Sequence, residues 1–250
     1  MSTAQPRGED LWLAEALAAF PPMPEHVRVG PGHDAAVMEL DVSELVAAKD
    51  VLVEGVHFRF PACTPAAAAR KALAVNLSDL AACGAEPVGF LVGGVLPRPA
   101  DRGLFDNLMR GFGDASREFG VPCVGGDTNV AHGPLVLSVT VLGKPGPHGL
   151  INRTGAREGQ HVSVTGPLGG SLAGRHLTFQ PRLREAQVLL AAGIPAAMMD
   201  ISDGLSRDLP RLCRMSGVGA LVHGDSVPVH ADVVAPDRLS AALHDGEDFE

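Results

Sequence analysis

The chain has 250 residues, of which 46% are hydrophobic and 20% are charged, and its formal net charge is -9 at pH 7. This composition is typical of a globular protein with one large or two small domains, and it excludes the disordered and fibrous classes. The acidic charge, without any cluster of lysine or arginine, argues against nucleic-acid binding.

The cysteines and the apolar runs indicate the cellular compartment of the protein. The four cysteines form no CxxC pair and no zinc-like spacing, which indicates unpaired thiols in a reducing compartment. No apolar run is long enough to span a bilayer. Glu9 and Asp10 lie where a signal peptide has its basic region and apolar stretch. We therefore expect a cytoplasmic protein that binds neither nucleic acid nor membranes.

The first part of the chain has a clear pattern of secondary structure. Apolar periodicity and breaker residues predict a helix at 9–20, strands at 36–40 and 45–53, a helix at 65–84, a strand at 88–96, a helix at 101–119, and strands at 121–124 and 135–142. The helix at 65–84 is the clearest, since Pro65 opens it and Gly84 closes it.

Residues 144–160 are rich in glycine and proline and are the best candidate for a domain boundary. Beyond them the pattern predicts a strand at 161–165, helices at 168–176, 182–192 and 203–217, and a strand at 219–223. Because strands and helices alternate, we expect an α/β or α+β class. We expect two domains, residues 1–147 and 148–250.

Several carboxylates lie among residues that are normally buried: Asp34, Asp50, Asp79, Asp127, Asp200, Asp203, Glu247 and Asp248. An ionised carboxylate is costly to bury without compensation. Only three lysines are present, and most arginines lie elsewhere in the sequence. Magnesium takes oxygen ligands and is usually held by carboxylates together with substrate phosphates. The pattern therefore indicates a site for magnesium and a nucleotide.

Each of these residues also has a simpler interpretation. Asp203 is suited to cap a helix, and Asp79 with Asn76 is suited to form a solvated polar stripe on a helix. Asp127 follows two glycines and is suited to a turn. A lone histidine such as His57 is more often packed or exposed than a ligand. Asp50, inside an apolar strand, is the hardest to explain in this way.

Several common motifs are absent. No GxxxxGK[ST] occurs, so the chain is not a P-loop enzyme. Residues 30–35 fit a loose GxGxxA pattern but lead into a predicted strand rather than a helix, which argues against a dinucleotide fold. The absence of HExxH and GxSxG gives no support to a metalloprotease or a hydrolase.

Seven motifs occur in order along the chain: GPGHDAAV, KDVLVEGVHF, RKALAVNLSDLAACGAEP, VGGDTN with PLVLSVTVLG, INRTGAREG, MDISDGLSRDL and HDGEDFE. Together they resemble the motifs of the thiamine-monophosphate kinases, which are members of the aminoimidazole-ribonucleotide-synthase-like superfamily. The DISDGL and NLSDLAA elements occur across the superfamily, whereas EGVHF and the combined order favour the kinases. The resemblance runs from the first helix to the last residue.

The resemblance implies a two-domain fold, α/β followed by α+β, in which the N-terminal domain pairs with its twin in a homodimer to form a β-barrel. It implies transfer of the γ-phosphoryl group of ATP to thiamine monophosphate, which gives thiamine diphosphate and ADP. Such transfer is direct and in line. The family continues beyond GEDFE with a strand and with an aromatic residue that stacks on thiamine. We therefore expect the C-terminal domain to be truncated and to have an exposed sheet edge.

The resemblance also implies the roles of particular residues. Several magnesium ions would be held by Asp34, Asp50, Asp79, Asp127, Asp200 and Asp203. Asp127 and Asp203 are the expected catalytic residues. Gly125, Gly126 and Asp127 would lie against the phosphates of ATP, and Arg153 and Ser202 would also contact ATP. His57 and Glu247 resemble substrate contacts. We expect no general base, because the attacking phosphate oxygen is already anionic.

Two motifs depart from the family pattern. The usual GDD is here Gly32-His33-Asp34, and the usual Ser/Thr pair before the strand aspartate is Ala48-Lys49. A lysine ammonium either replaces one magnesium ion or blocks its site. Two alternatives follow: a catalytically degenerate paralogue that binds nucleotide, or a superfamily member that uses ATP on another substrate. The selenide branch is disfavoured, because the first cysteine is Cys63.

Overall fold

The computed structural model describes residues 12, 15–31, 35–234 and 236–250. The chain forms two compact units, each assembled from separate stretches of sequence. Unit 1 contains residues 1–41, 49–73 and 88–142, and unit 2 contains residues 42–48, 74–87 and 143–250. The division of the chain between residues 147 and 148 stays a prediction.

Strands and helices alternate along the described chain. The strands are β1 (Val27–Val29), β2 (Val37–Met38), β3 (Val46–Val53), β4 (Ala85–Pro97), β5 (Cys123–Ala131) and β6 (Val136–Pro145). The α-helices are α1 (Pro65–Cys83), α2 (Arg102–Phe119), α3 (Leu183–Ala191), α4 (Leu205–Ser216) and α5 (Arg238–His244). None of the described helices is both long enough and apolar enough to cross a membrane.

The main sheet has four strands in the order β3-β6-β4-β5, and β1 and β2 form a separate antiparallel pair. Side chains of β6 alternate between two faces, with Leu137, Val139 and Val141 buried and Ser138 and Thr140 on the other face. Strands β3 and β5 are the two edges, and the described residues form an open sheet rather than a closed barrel.

Helix α2 is capped at both ends and packs against the start of α1. The side chain of Asp101 accepts a hydrogen bond from the backbone N–H of Gly103 and caps α2, and Gly120 ends α2 in a left-handed conformation. A Cβ on Gly111 would lie 2.5 Å from the Cα of Ala66, so α2 approaches the start of α1 closely. The rings of Phe90 on β4 and Phe112 on α2 lie 6.3 Å apart.

Unit 2 has its own small core, in which Leu168, Ile201, Leu205 and Ala242 pack together. These residues come from a loop, from the start of α4 and from α5. Apolar burial of this kind is the main favourable contribution to folding. The core therefore fixes the loop that precedes α4, where several predicted site residues lie.

Three predicted elements are wrong. Residues 161–165 and 219–223 are not strands, because a strand needs a ladder partner and neither segment pairs in the described structure. The predicted helix at 168–176 is two short 3-10 turns, Ser171–Ala173 and Arg175–Leu177. Gly174, with φ at 147°, separates them. The predicted helix at 9–20 lies partly outside the described residues, and within its described part residues 12 and 15–17 are helical.

Candidate active site

The motif Gly125-Gly126-Asp127 lies within β5, so the simpler interpretation of Asp127 as a turn residue is wrong. Asp127 pairs in parallel register with Gly93 of β4, and its side chain is exposed. A Cβ on Gly126 would lie 2.2 Å from the carbonyl oxygen of Val92, so this strand requires glycine there. Within the described part of the chain, the Asp127 carboxylate makes no hydrogen bond or ion pair. It is therefore available to a ligand.

Asp50 and Lys49 lie on β3, at the opposite edge of the sheet from β5. Adjacent strand residues point to opposite faces, and Asp50 is half-buried while Lys49 is exposed. Lys49 Nζ donates to Ser138 Oγ at 2.5 Å and to Thr140 Oγ1 at 3.5 Å. The ammonium group therefore lies on the other face from the Asp50 carboxylate. The structure does not bring Asp50 and Asp127 together.

His57 lies in the turn that follows β3 in unit 1. The backbone N–H of Val53 donates to His57 Nδ1 at 3.0 Å. Lys71, which is fully buried on α1, donates from Nζ to the carbonyl oxygen of His57 at 2.6 Å. The residue is therefore held through both its ring and its main chain.

Three predicted site residues of unit 2 come together around Cys83. Burial raises the pKa of the Cys83 thiol, Asp79 and Asp200 raise it further, and Arg153 opposes them. All three charged groups therefore act on one thiol. Ser78 Oγ donates to Asp200 Oδ2 at 2.8 Å, and Asp200 is only 8% exposed.

The polar stripe proposed for α1 is not a solvated one. Asn76, three residues before Asp79, is fully buried. A polar amide inside a helix packing face needs hydrogen-bond partners within the protein. The simple interpretation of Asp79 as part of an exposed stripe is therefore wrong.

A cavity of about 150 Å³ in unit 2 adjoins the Ser78–Asp200 pair. Its walls are mainly apolar, and Arg182 and Asp208 also line it. Pockets for drug-sized ligands and cofactors are larger, roughly 300–1,000 Å³. This cavity is therefore too small to be a nucleotide pocket by itself.

Asp203 does not cap α4, because the capping position is Gly204 and no side chain bonds there. Instead, Arg211 Nη1 donates to Asp203 Oδ2 at 2.5 Å and to Asp208 Oδ1 at 2.7 Å. Asp208, which is 1% exposed, also accepts the backbone N–H of Asp203 at 2.8 Å. Asp203 is therefore held by an arginine ion pair.

The DISDGL and HDGEDFE motifs pack against each other in unit 2. The backbone N–H of Glu247 donates to the Ser202 carbonyl, and that of Phe249 donates to the Ile201 carbonyl, both at 2.8 Å. A Cβ on Gly246 would lie 2.8 Å from the Ser202 carbonyl oxygen, so this contact requires glycine. The predicted ATP contact Ser202 and the predicted substrate contact Glu247 are thus brought together.

Asp248 is fully buried and has an arginine partner. It accepts the backbone N–H of Gly169 at 2.9 Å, and it accepts Arg175 Nη2 at 3.0 Å. Burial raises the pKa of Asp248 to about 6, and both donors act against that rise. The expectation that arginines elsewhere in the sequence do not compensate buried carboxylates is wrong here.

The donor atoms of the predicted metal ligands suit magnesium, since all are carboxylate oxygens. Asp34 lies outside the described residues, together with His33. Among the residues that are described, no three His, Cys, Asp or Glu side chains lie close enough to hold a metal ion. Magnesium commonly binds through one or two carboxylates plus substrate phosphates. Asp127 therefore fits an ion that arrives with a nucleotide.

The sequence interpretation missed several residues that hold the site: Lys71, Ser78, Arg175, Asp208 and Arg211. Ser78 and Asp208 lie inside motifs that were recognised, NLSDLAA and DISDGLSRDL, so their positions were a usable signal. No local signal links Arg175 to Asp248, because 73 residues separate them.

Two domain families match the chain, and their descriptions define its class. The N-terminal domain of AIR synthase related proteins matches residues 32–144, and the C-terminal domain matches residues 138–240. The mixed α/β architecture agrees with this class. The protein is therefore AIR-synthase-related.

The similarity extends to particular relatives. The chain is 38% identical to the thiamine-monophosphate kinase of Rhodopirellula baltica, over 90% of this chain and 75% of the relative. It is 30% identical to the crystal structure of thiamine-monophosphate kinase from Stenotrophomonas maltophilia, with a TM-score of 0.83 over 95% of this chain and 83% of that one. It is 27% identical to AaThiL complexed with AMPPCP and TMP, with a TM-score of 0.77 over 99% and 86% of the two chains. The chain belongs to the thiamine-monophosphate kinase family, a family of kinases.

Proposed function

We propose that this protein transfers the γ-phosphoryl group of ATP to the phosphate of thiamine monophosphate, giving thiamine diphosphate and ADP. The proposal is carried by the exposed Asp127 carboxylate, which has no partner in the described chain and follows two glycines. The AMPPCP and TMP in the structure of AaThiL support the same pair of ligands.

The proposed site residues fall into two groups, those that contact ATP and those that bind magnesium. Gly125 and Gly126 present backbone N–H groups to the phosphates of ATP, and Arg153 and Ser202 contact ATP. Magnesium ions, when bound, neutralise phosphate charge. Their proposed ligands are Asp34, Asp50, Asp79, Asp127, Asp200 and Asp203, with Asp127 and Asp203 as the catalytic residues. In-line transfer then depends on positioning, and no general base is needed.

The proposed substrate contacts are His57 and Glu247. His57 is held in its turn by Val53 and Lys71, and Glu247 is held against Ser202. Residues fixed in this way lose little conformational entropy when a ligand binds. Both residues therefore have fixed main-chain positions, which suits contacts to a small, defined substrate.

We also propose a homodimer in which two four-stranded sheets close into a barrel. Strands β3 and β5 are edges of the described sheet, and an edge presents unpaired backbone groups that a barrel would satisfy. Sedimentation equilibrium should give twice the monomer mass of 25.9 kDa. A monomer at micromolar concentration would contradict this proposal.

The central test is chromatographic detection of thiamine diphosphate after incubation with Mg-ATP and thiamine monophosphate. We expect the wild type to form product and Asp127→Asn to lose activity by roughly a hundredfold or more, the usual effect of removing one group that stabilises transition-state charge. Asp225→Asn is the matched control, since Asp225 is exposed in a 3-10 turn that contains no proposed site residue. A folded wild type that forms no product but binds Mg-AMPPCP would instead support the nucleotide-binding paralogue.

A further inference from the structure

The turn that carries His57 is fixed along its main chain. The backbone N–H of Gly55 donates to the Phe58 carbonyl at 2.8 Å, and that of His57 donates to the Val53 carbonyl at 2.9 Å. The backbone N–H of Glu54 donates to the Leu135 carbonyl at 2.9 Å, which ties the turn to the residue before β6. Gly55 has a φ of 86°, which favours glycine. The position of the His57 backbone is therefore set by several bonds.

The ring of His57 has a defined tautomer. The backbone N–H of Val53 donates to Nδ1 at 3.0 Å, so Nδ1 must be the unprotonated nitrogen. In a neutral imidazole the other nitrogen then carries the proton. His57 consequently offers Nε2–H as a hydrogen-bond donor, and neither ring nitrogen is free to accept a proton from a substrate without breaking the bond from Val53.

A buried lysine contacts the same residue from behind. Lys71 on α1 is 0% exposed, although lysine is almost never fully buried. An ammonium group in such a place needs strong hydrogen bonds, and one of them is the 2.6 Å bond from Nζ to the His57 carbonyl oxygen. That bond joins α1 to His57, the residue whose ring accepts the hydrogen bond from Val53.

We propose that Lys71 is a positioning residue, which holds the His57 turn so that Nε2–H is presented as a donor to an anionic oxygen of the substrate. A phosphate ester, the class to which thiamine monophosphate belongs, accepts such a bond. The inference deepens the proposed function and rests on it for the identity of the ligand. His57 thus binds and orients the acceptor phosphate, and it does not act as a base.

The tautomer can be read directly by long-range proton–nitrogen NMR of the imidazole in the full-length protein at pH 7.5. In the wild type we expect the His57 pattern of a protonated Nε2 and an unprotonated Nδ1. Lys71→Met keeps the aliphatic length but removes the ammonium group, and it should give a mixture of tautomers. Lys144→Met is the matched control, because Lys144 is half-exposed and pairs with Glu86 at 3.5 Å. It should retain the wild-type pattern.

Calorimetry with thiamine monophosphate supplies the second readout. Lys71→Met should bind thiamine monophosphate roughly tenfold more weakly than the wild type, the effect of one charge-assisted hydrogen bond. Its affinity for Mg-AMPPCP should stay within about twofold of the wild type, because no bond to the nucleotide is removed. Equal loss of both ligands would show that Lys71 is only structural and would overturn the inference.

A second pair of variants covers the case in which Lys71→Met does not fold. His57→Gln retains an N–H donor near the position of Nε2, whereas His57→Ala does not, so the glutamine variant should bind thiamine monophosphate more tightly. Equal affinity of the two variants, or a wild-type His57 that is protonated at Nδ1, overturns the inference. A Lys71-dependent tautomer in a protein that makes no thiamine diphosphate would leave the positioning role intact while the proposed function failed.

Discussion

Carboxylates with similar sequence surroundings have different partners in the folded chain. Asp248 is bonded to Arg175, and Asp208 is bonded to Arg211, so each has a counter-ion. Asp127 is exposed and has no partner in the described chain. A carboxylate that is already paired with an arginine has a partner within the protein, whereas one that is unpaired and exposed is available to a ligand. This difference makes Asp127 the best candidate for function.

Asp248 should make stability depend on pH in a defined direction. Its pKa is raised to about 6 from 3.8, so the folded state binds more protons than the unfolded state between these values. Its contribution is therefore fully present below pH 3.8 and is lost as the pH rises through about 6. Asp248→Asn removes this dependence.

Urea denaturation of the wild type and of Asp248→Asn at pH 5 and pH 7.5 checks this prediction. The variant should be less stable at both pH values by about 1–3 kcal/mol, because one of the two donors loses its acceptor. The loss should be larger at pH 5. A loss that is the same at both pH values would show that Asp248 titrates normally.

Lys49 lies on the other face of β3 from Asp50, and two hydroxyl groups hold it. Lys49→Thr should therefore leave the affinity for Mg-AMPPCP within about threefold of the wild type, whereas Asp50→Asn should weaken it roughly tenfold. Calorimetry at fixed Mg²⁺ measures both. A large gain in affinity or activity for Lys49→Thr would show that the ammonium blocks a metal site.

At the scale of elements, close packing decides which residues a helix tolerates. Helices usually gain about 1 kcal/mol when glycine is replaced by alanine, because alanine has the higher helix propensity. At Gly111 on α2 this gain is opposed, since a Cβ would lie 2.5 Å from the Cα of Ala66 and 2.7 Å from its carbonyl oxygen. The nearest atoms belong to the backbone of α1, and backbone atoms cannot move aside as easily as the end of a flexible side chain can.

Gly111→Ala should therefore destabilise the protein by about 1–3 kcal/mol, the usual result of overpacking. Asn107→Ala is the control, because Asn107 is exposed on the same helix, and it should change stability by no more than about 0.5 kcal/mol. Thermal or urea unfolding of the three proteins gives the comparison. A Gly111→Ala variant as stable as the wild type would show that α1 and α2 separate easily.

Local sequence patterns explain which helices and strands could be predicted. Helices α1 and α2 and strands β3 and β6 were predicted within a few residues, because their apolar periodicity and caps are local signals. Strand β5 extends to Ala131 although glycine and polar residues disfavour strands, since pairing with β4 holds it. Segments 161–165 and 219–223 have strand-like sequences but no described partner.

At the scale of the whole molecule, a ligand that binds only the folded protein must stabilise it. Mg-AMPPCP at a hundred times its dissociation constant should add about 2.7 kcal/mol to the free energy of unfolding. Removal of Mg²⁺ by EDTA should abolish most of this gain, because the carboxylate ligands then face the phosphates without neutralisation. Scanning calorimetry with and without EDTA measures the shift. An unchanged Tm with Mg-AMPPCP would contradict nucleotide binding.

The sequence by itself determined the family, the alternation of strands and helices, and the motifs that carry the proposed chemistry, because these depend on local pattern and on residue identity. Only the tertiary structure decided that Arg175 is the partner of Asp248, that Lys49 bonds to Ser138 and Thr140, and that Lys71 holds His57. These contacts join residues far apart in the chain, and their geometry depends on strand order and helix packing, which local sequence does not encode.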